Sequence, residues 1–199
     1  MVATARVPQE ERSRVMRARL MDATIECLVE RGFANTSTTL ISERAGVSRG
    51  AQLHHFPTKN DLVVAAVEHL TRVRGAELAG AAATLPDGPH RTRDVLRMLG
   101  DHFASPVFIA ALELWVAART DPALLAAVSP LELKVGRETH RMTVALLGAD
   151  ESRPGVRQLV QATLDLVRGL GLAATITDDS RRRNRILDQW ARTLEGALS

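Results

Sequence analysis

The sequence predicts an all-α protein of about nine or ten helices, and three observations carry that expectation. Aromatic residues are only 3% of the chain and Tyr is missing, so the 45% hydrophobic content rests on Leu, Ala, Val and Ile, a palette suited to packed helices. Apolar positions recur at three- and four-residue spacing from one end to the other, with no hairpin signal and no internal repeat. Prolines and small polar residues stand before the periodic stretches, where helix starts need them.

Taken in order, residues 1–11 are polar and contain Pro8, which predicts an arm. From about Arg12 to Arg31 the positions Met16, Leu20, Ala23, Cys27 and Leu28 follow helical spacing, and Gly32 supplies a left-handed stop, with Phe33 placed to fold back. Ala34–Ser37 reads as a polar loop. Thr38–Ala45 is a short helix with Leu40, Ile41 and Ala45 inward. Gly46 breaks it, Val47 pins the turn, and Ser48 caps a second short helix, about Arg49 to Phe56, that ends at Pro57. Thr58-Lys59-Asn60-Asp61 is a capping box that opens a long helix to about Ala83. Pro86-Asp87-Gly88-Pro89 marks a loop. Further starts are written at Ser105-Pro106, Asp121-Pro122 (a short helix), Ser129-Pro130-Leu131-Glu132 (ending near Gly148), Pro154-Gly155 and Asp178-Asp179-Ser180.

The 199 residues are enough for one or two domains. Cys27 is the sole cysteine, which excludes an internal disulfide and a Cys-based zinc site. Residues 1–19 hold Arg6, Arg12, Arg14, Arg17 and Arg19 but no apolar core of a signal peptide, and no apolar run approaches the roughly 20 residues of a membrane span. A cytoplasmic protein without membrane contact is the expectation. The net charge of +3 is unevenly spread: residues 1–74 carry 11 basic against 8 acidic side chains, and residues 75–199 carry 15 of each. The excess lies where a polyanion would be met.

The chemistry points to the stretch between Thr38 and Phe56. A two-turn helix, a glycine turn and a second short helix make a helix-turn-helix. Its mechanism is geometric: one helix crosses the DNA backbone while the next enters the major groove, about 12 Å wide, and offers its first side chains to base edges. Here those side chains are Arg49 and Gln52, of the types that pair bidentately with guanine and adenine, with Gly50 and Ala51 small enough for close approach.

On Gly32-Phe33, Thr38-Thr39, Ala45-Gly46-Val47-Ser48, Gly50, His55-Phe56 and Lys59, residues 14–74 resemble the TetR family of transcriptional regulators. The resemblance implies a helix-turn-helix DNA-binding domain over residues 12–74 (motif 37–56) and a helical domain over 75–199 that dimerises and holds an effector pocket. It places Thr38, Thr39 and Ser48 on phosphates and Arg49, Gly50, Ala51 and Gln52 on bases. His54 and His55 fall at the backbone-facing end of the recognition helix, and Lys59 falls on a phosphate. Two positions depart from the pattern: Gln52 stands where an apolar residue is common, and Leu53 where Tyr is common. An exchange of roles, with Leu53 packed inward and Gln52 freed for DNA, accounts for both.

Other features weigh less. Adjacent helical residues point about 100° apart, so His54-His55 is no metal pair, and neither a metal nor a cofactor is expected. Cys27 reads as a small core residue. The run Arg181-Arg182-Arg183-Asn184-Arg185 follows two aspartates and reads as a solvated or subunit-bridging face. Small residues at Gly169, Gly171, Ala173 and Ala174 allow close helix approach. With Leu164, Val167, Ile186, Leu187, Trp190 and Leu194 they suit half of a four-helix dimer interface, although periodicity alone leaves an intrachain core open. Met98, His102, Phe103, Phe108, Trp115 and Met142 are candidates to line an effector cavity, with His102 or His140 as the polar contact, against core packing as the alternative for each. The expected function is a homodimeric, ligand-responsive repressor on a palindromic DNA operator, and not an enzyme, since no phosphate loop, acid–base pair or nucleophile motif is present. The competing readings are a helical carrier or enzyme with an incidental helix-turn-helix, and a non-specific architectural DNA binder.

Overall fold

The computed structural model describes residues 9–86 and 88–198. Among them lie nine helices and no strand: α1 (Gln9–Arg31), α2 (Thr38–Ala45), α3 (Arg49–His55), α4 (Lys59–Ala83), α5 (Arg91–Phe103), α6 (Pro106–Ala118), α7 (Pro122–Leu147), α8 (Val156–Ala174) and α9 (Ser180–Leu198). They form two compact units. One takes in the described residues up to His69 together with Glu113–Val128; the other takes in Leu70–Leu112 and the described residues from Ser129 onward.

In the first unit, the apolar stripe of α1 supplies Leu20, Ala23 and Cys27 to a core completed by Ile41, Ala45, Val47, Phe56 and Leu62. Removing such side chains from water is the main stabilising term, roughly 1.5–3 kcal/mol for each large aliphatic one. The helix ends are closed locally. Gly32, at φ +72°, stops α1 and returns its N–H to Leu28. Ser37 caps α2 by accepting from the Leu40 N–H at 3.2 Å. Gly46 is left-handed, its N–H bonds Glu43 O, and the Val47 N–H bonds Ser42 O. This pair of bonds is the Schellman arrangement, which a residue with a Cβ would strain. Arg44 ties α2 to α1 through Glu30 at 2.6 Å and Glu26 at 3.6 Å.

In the second unit, α5 is the central helix, packed on α8 and α9. Two glycines set how closely it approaches them. A Cβ on Gly171 would fall on the Phe103 carbonyl, and a Cβ on Gly100 would come 2.7 Å from Leu187 Cδ1. Two ion pairs of opposite sense flank the α5–α9 contact, Arg97 to Asp188 at 2.9 Å and Arg183 to Asp101 at 3.1 Å. Arg183 is buried, so this member of the basic run belongs to the packed interior and not to a solvated face. Trp190 Nε1 donates to Thr163 Oγ1 at 2.9 Å, joining α9 to α8.

Several expectations need correction. The expected arm falls outside the described residues from Met1 to Pro8, as does Asp87 of the loop, and Gln9–Glu11 are already helical. The two helices expected from Asp121 and Ser129 are one, α7, with Pro130 inside it. The fixed φ of proline suits a helix, so only the bond that Ala126 O would have accepted is lost, and burial of Val128 and Leu131 on one face carries the helix through. The start of α5 carries no side-chain cap on His90, which is why no start signal stood there. Of the residues assigned to a dimer interface, Leu164, Val167, Gly171, Leu187 and Leu194 are buried inside the chain, Gly171 because α5 lies against it. Ala174, Ile186 and Trp190 stay partly exposed.

The crossing at Gly171 yields a stability test. Gly171→Ala sets a methyl group against a backbone carbonyl that cannot rotate away, so it should destabilise by about 1–3 kcal/mol. Gly100→Ala meets only the end of the buried Leu187 side chain, which has to shift, and gains helix propensity, so it should destabilise less than Gly171→Ala. Denaturant unfolding of both variants distinguishes them; equal midpoints would contradict the close α5–α8 crossing.

Candidate nucleic-acid interface

A seven-residue helix is too short to be stable alone, so the geometry of α3 depends on what holds it from behind. Ser48 caps it by accepting from the Ala51 N–H at 3.3 Å. Ala51 is half-buried against the core of the first unit, and Phe56, just past the last turn, is 3% exposed within it. Between them lies Gln52, fully buried, whose Nε2 donates to Phe56 O at 2.6 Å while Oε1 has no protein partner. Arg17 of α1 closes the far end, its guanidinium 4.5 Å over the Phe56 ring and its Nη1 donating to His55 O at 3.4 Å.

The opposite face is open. Ser48, Arg49, Gly50, Leu53 and His54 are exposed on α3, and Thr39 on α2, while Thr38 is half-buried. Gly50 has no heavy atom within 4 Å of where its Cβ would be, so nothing in the chain's own packing requires a glycine there. Arg49 and Leu53 lie one turn apart on this face, as positions i and i+4 of a helix must.

Three expected contacts are therefore revised. Gln52 points inward and Leu53, at 45% exposure, points outward, the reverse of the expected exchange. The reason is register: Ala51 and Phe56 fix the inner face, and a side chain between them on that face has to be Gln52, whose amide satisfies a carbonyl at the helix end. Ala51 faces the core as well. Lys59 does not present its ammonium outward: Nζ donates to Phe33 O at 2.6 Å and sits 3.8 Å over the Phe33 ring. Burial pushes its pKa down. The Phe33 N–H donates in turn to Glu113 Oε2 of α6 at 3.0 Å, so the backbone of one residue is held on both sides. No signal in the sequence pointed to Glu113. His55 is half-buried, and burial, then His54 and Arg17, push its imidazole towards the neutral form.

The second unit holds a cavity of about 310 Å³ between α4, α5 and α7, lined among others by Thr71, Gly75, His102, Thr139 and Met142. His102 and Met142 were expected there. Phe103 and Phe108 instead pack into the core with their rings 5.4 Å apart, because α5 turns that side towards α8. Met98 is not on the lining, and Trp115 lies in the first unit. His140 bonds Glu151 at 2.7 Å beside a separate, broader groove between α7 and α8. Among the described residues no group of three or more His, Cys, Asp or Glu side chains is assembled, and no single helix is long and apolar enough to cross a membrane.

The chain is similar to known proteins in sequence and in fold. The family described as "Bacterial regulatory proteins, tetR family" matches residues 20–66, which span the core of α1 through the start of α4. The chain is 31% identical over 173 residues to the uncharacterized HTH-type transcriptional regulator Rv2912c of Mycobacterium tuberculosis, covering 83% of this chain and 88% of that one. A TetR-family member from Streptomyces coelicolor A3 superimposes with a TM-score of 0.63 at 25% identity, over 88% of this chain and 97% of the other. The multidrug binding protein EbrR, complexed with imidazole, has the same fold, with a TM-score of 0.62 at 24% identity over 87% and 93%. A recognition helix held from behind and open in front, together with a likeness that runs over most of both chains, leads to one conclusion: this chain belongs to the tetR family and is a DNA-binding transcriptional regulator.

Proposed function

We propose that the chain is a homodimeric repressor that reads a palindromic operator and is released from it by a small molecule. Residues 12–74 serve DNA binding in this reading, and residues 75–199 serve dimerisation and effector binding. The observation that carries it is the open face of α3, and above all Gly50, whose lack of a side chain answers no need of the chain's own packing. Close approach of another molecule supplies that need. Arg49 then pairs with a guanine edge and Leu53 meets a thymine methyl, while Thr39, Ser48 and His54 hold phosphates. A second copy sets the two recognition helices about 34 Å apart, one DNA turn, which is why the operator would be palindromic. The partly exposed Ala174, Ile186 and Trp190 of α8 and α9 are the surface proposed for pairing. The cavity beside His102 is the proposed effector site, and the imidazole complex of EbrR supports ligand binding in this fold.

Selection of bound duplexes from a random pool, followed by titration at several salt concentrations, tests the reading: a palindromic consensus is expected. Binding without an enriched motif would leave only sequence-blind phosphate attraction. Arg49→Ala should cost about 1–3 kcal/mol of operator affinity and relax preference at one base pair per half-site. Gly50→Leu should leave the melting temperature near that of the parent but weaken operator binding at least about tenfold, a 1.4 kcal/mol effect or more. Gln52→Ala should do the opposite, lowering stability by about 1–3 kcal/mol while base preference in the selection stays the same. An altered consensus for Gln52→Ala would restore that residue to the reading face. For the pairing surface, Ile186→Arg should shift sedimentation from dimer to monomer; an unchanged dimer would move the interface elsewhere.

A further inference from the structure

The wall chemistry of the α4–α5–α7 cavity selects among ligands. Its concavity originates on α4, where Gly75, Ala76 and Ala79 present a hollowed face; a Cβ on Gly75 would meet nothing within 4 Å. Leu78, Val135 and Met142 make the rest of the apolar wall, and no Phe, Tyr or Trp ring is part of it. The polar groups are the hydroxyls of Thr71 and Thr139 and the imidazole of His102, with Arg72 and Glu138 exposed on the lining. No described residue hydrogen-bonds the His102 ring, whose packing neighbour is Phe103, ring centroids 5.3 Å apart. Burial, and then the charge of Arg74, hold His102 below the ordinary histidine range, so at neutral pH it presents one N–H donor and one nitrogen acceptor and carries no charge. Arg74 is itself paired with Glu77 at 2.7 Å.

A buried ligand charge has to be matched by a charge or by aromatic faces, or its desolvation is uncompensated. A cation entering here meets no Phe, Tyr or Trp face and only one carboxylate, Glu138, which is exposed and screened by water. An anion meets one guanidinium, Arg72, which is exposed and water-screened like Glu138, and beyond it a neutral imidazole and two hydroxyls. Helical backbone N–H groups along these walls are already committed to their own helices. An uncharged group, in contrast, is served at both ends by an imidazole that donates and accepts. The volume, about 310 Å³, is at the small end for small-molecule sites and limits the ligand to a compact frame.

We infer that this cavity takes a compact, uncharged molecule with an aliphatic body and a single hydroxyl or carbonyl that bonds His102. The inference rests on the cavity being the effector site, and the experiment separates the two. Three probes of one frame, cyclohexanol, cyclohexanecarboxylate and cyclohexylammonium, are titrated calorimetrically into the full-length protein at neutral pH. Cyclohexanol should bind at least about tenfold more tightly than either charged congener. His102→Leu should weaken it by up to about tenfold, the worth of one hydrogen bond, while His102→Gln, which keeps a donor and an acceptor, should stay within about threefold. Gly75→Leu projects a side chain into the hollow from a position where a Cβ meets nothing within 4 Å, and should abolish binding of every probe. If a charged congener binds best and Gly75→Leu still abolishes it, the ligand class is wrong and the effector site stands. If no probe binds at millimolar concentration, or binding survives Gly75→Leu, the cavity is not a binding site and both readings fall.

Discussion

The reading face of this regulator depends on a short helix being held at one rotation about its axis. Seven residues cannot hold themselves, so the constraint comes from behind: Val47 below the turn, Ala51 and Gln52 on the inner face, and Phe56 beyond the last turn. The buried amide of Gln52 is the uncommon part of this arrangement. An aliphatic side chain would pack there at no polar cost. The amide satisfies the Phe56 carbonyl at the helix end and leaves its own oxygen without a protein partner. Rotation of α3 by one residue would bury Leu53 and expose this amide, breaking that bond and the cover that Arg17 gives to Phe56. What faces outward, Arg49, Gly50 and Leu53, is therefore decided by what cannot face outward.

In the second unit the corresponding constraint is distance. Gly100 and Gly171 let α5 lie close to α9 and α8, and the ion pairs Arg97–Asp188 and Arg183–Asp101 lie along the contact of α5 with α9. Exposed pairs contribute little, but Arg183 is buried, and loss of Asp101 would leave its guanidinium without that partner in the interior. The same α5 carries His102 on the cavity wall, so the packing that fixes α5 also fixes the one imidazole on that wall.

How far all this was legible in the sequence follows from the range of the interactions involved. Caps and stops are local, and Gly32, Gly46, Ser48 and the Thr58–Asp61 box act as their spacing indicates. Helix existence was legible for the same reason, except at α5, where no cap announces the start, and at Pro130, where burial on both sides outweighs a single lost hydrogen bond. Facing was less legible. The rotation of α3 depends on Ala51 and Phe56 meeting a core made by α1 and α2, and Gly171 of α8 serves the approach of α5 in the same chain where periodicity equally allows a partner. Lys59 was visible as a charge near a helix start, but its engagement with Phe33 is a contact across 26 residues. The cavity was legible only in His102 and Met142, because the hollow is made by small residues of α4 and not by the large side chains that drew attention.

The grip on Phe33 bears on how this protein could be cut or recombined. Its carbonyl is held by Lys59 and its N–H by Glu113, residues that follow it by 26 and 80 positions. The segment Glu113–Val128, with Leu114, Ala118, Leu124 and Val128 buried, is part of the same compact unit as the recognition helix. A fragment ending near Arg74 would contain the whole helix-turn-helix and yet lack a structural wall of its own unit. The compact unit that holds the helix-turn-helix is thus discontinuous in the chain. Grafting the helix-turn-helix onto another helical domain would require that domain to bring its own counterpart of α6 and the first turns of α7, with a carboxylate in register for the Phe33 amide.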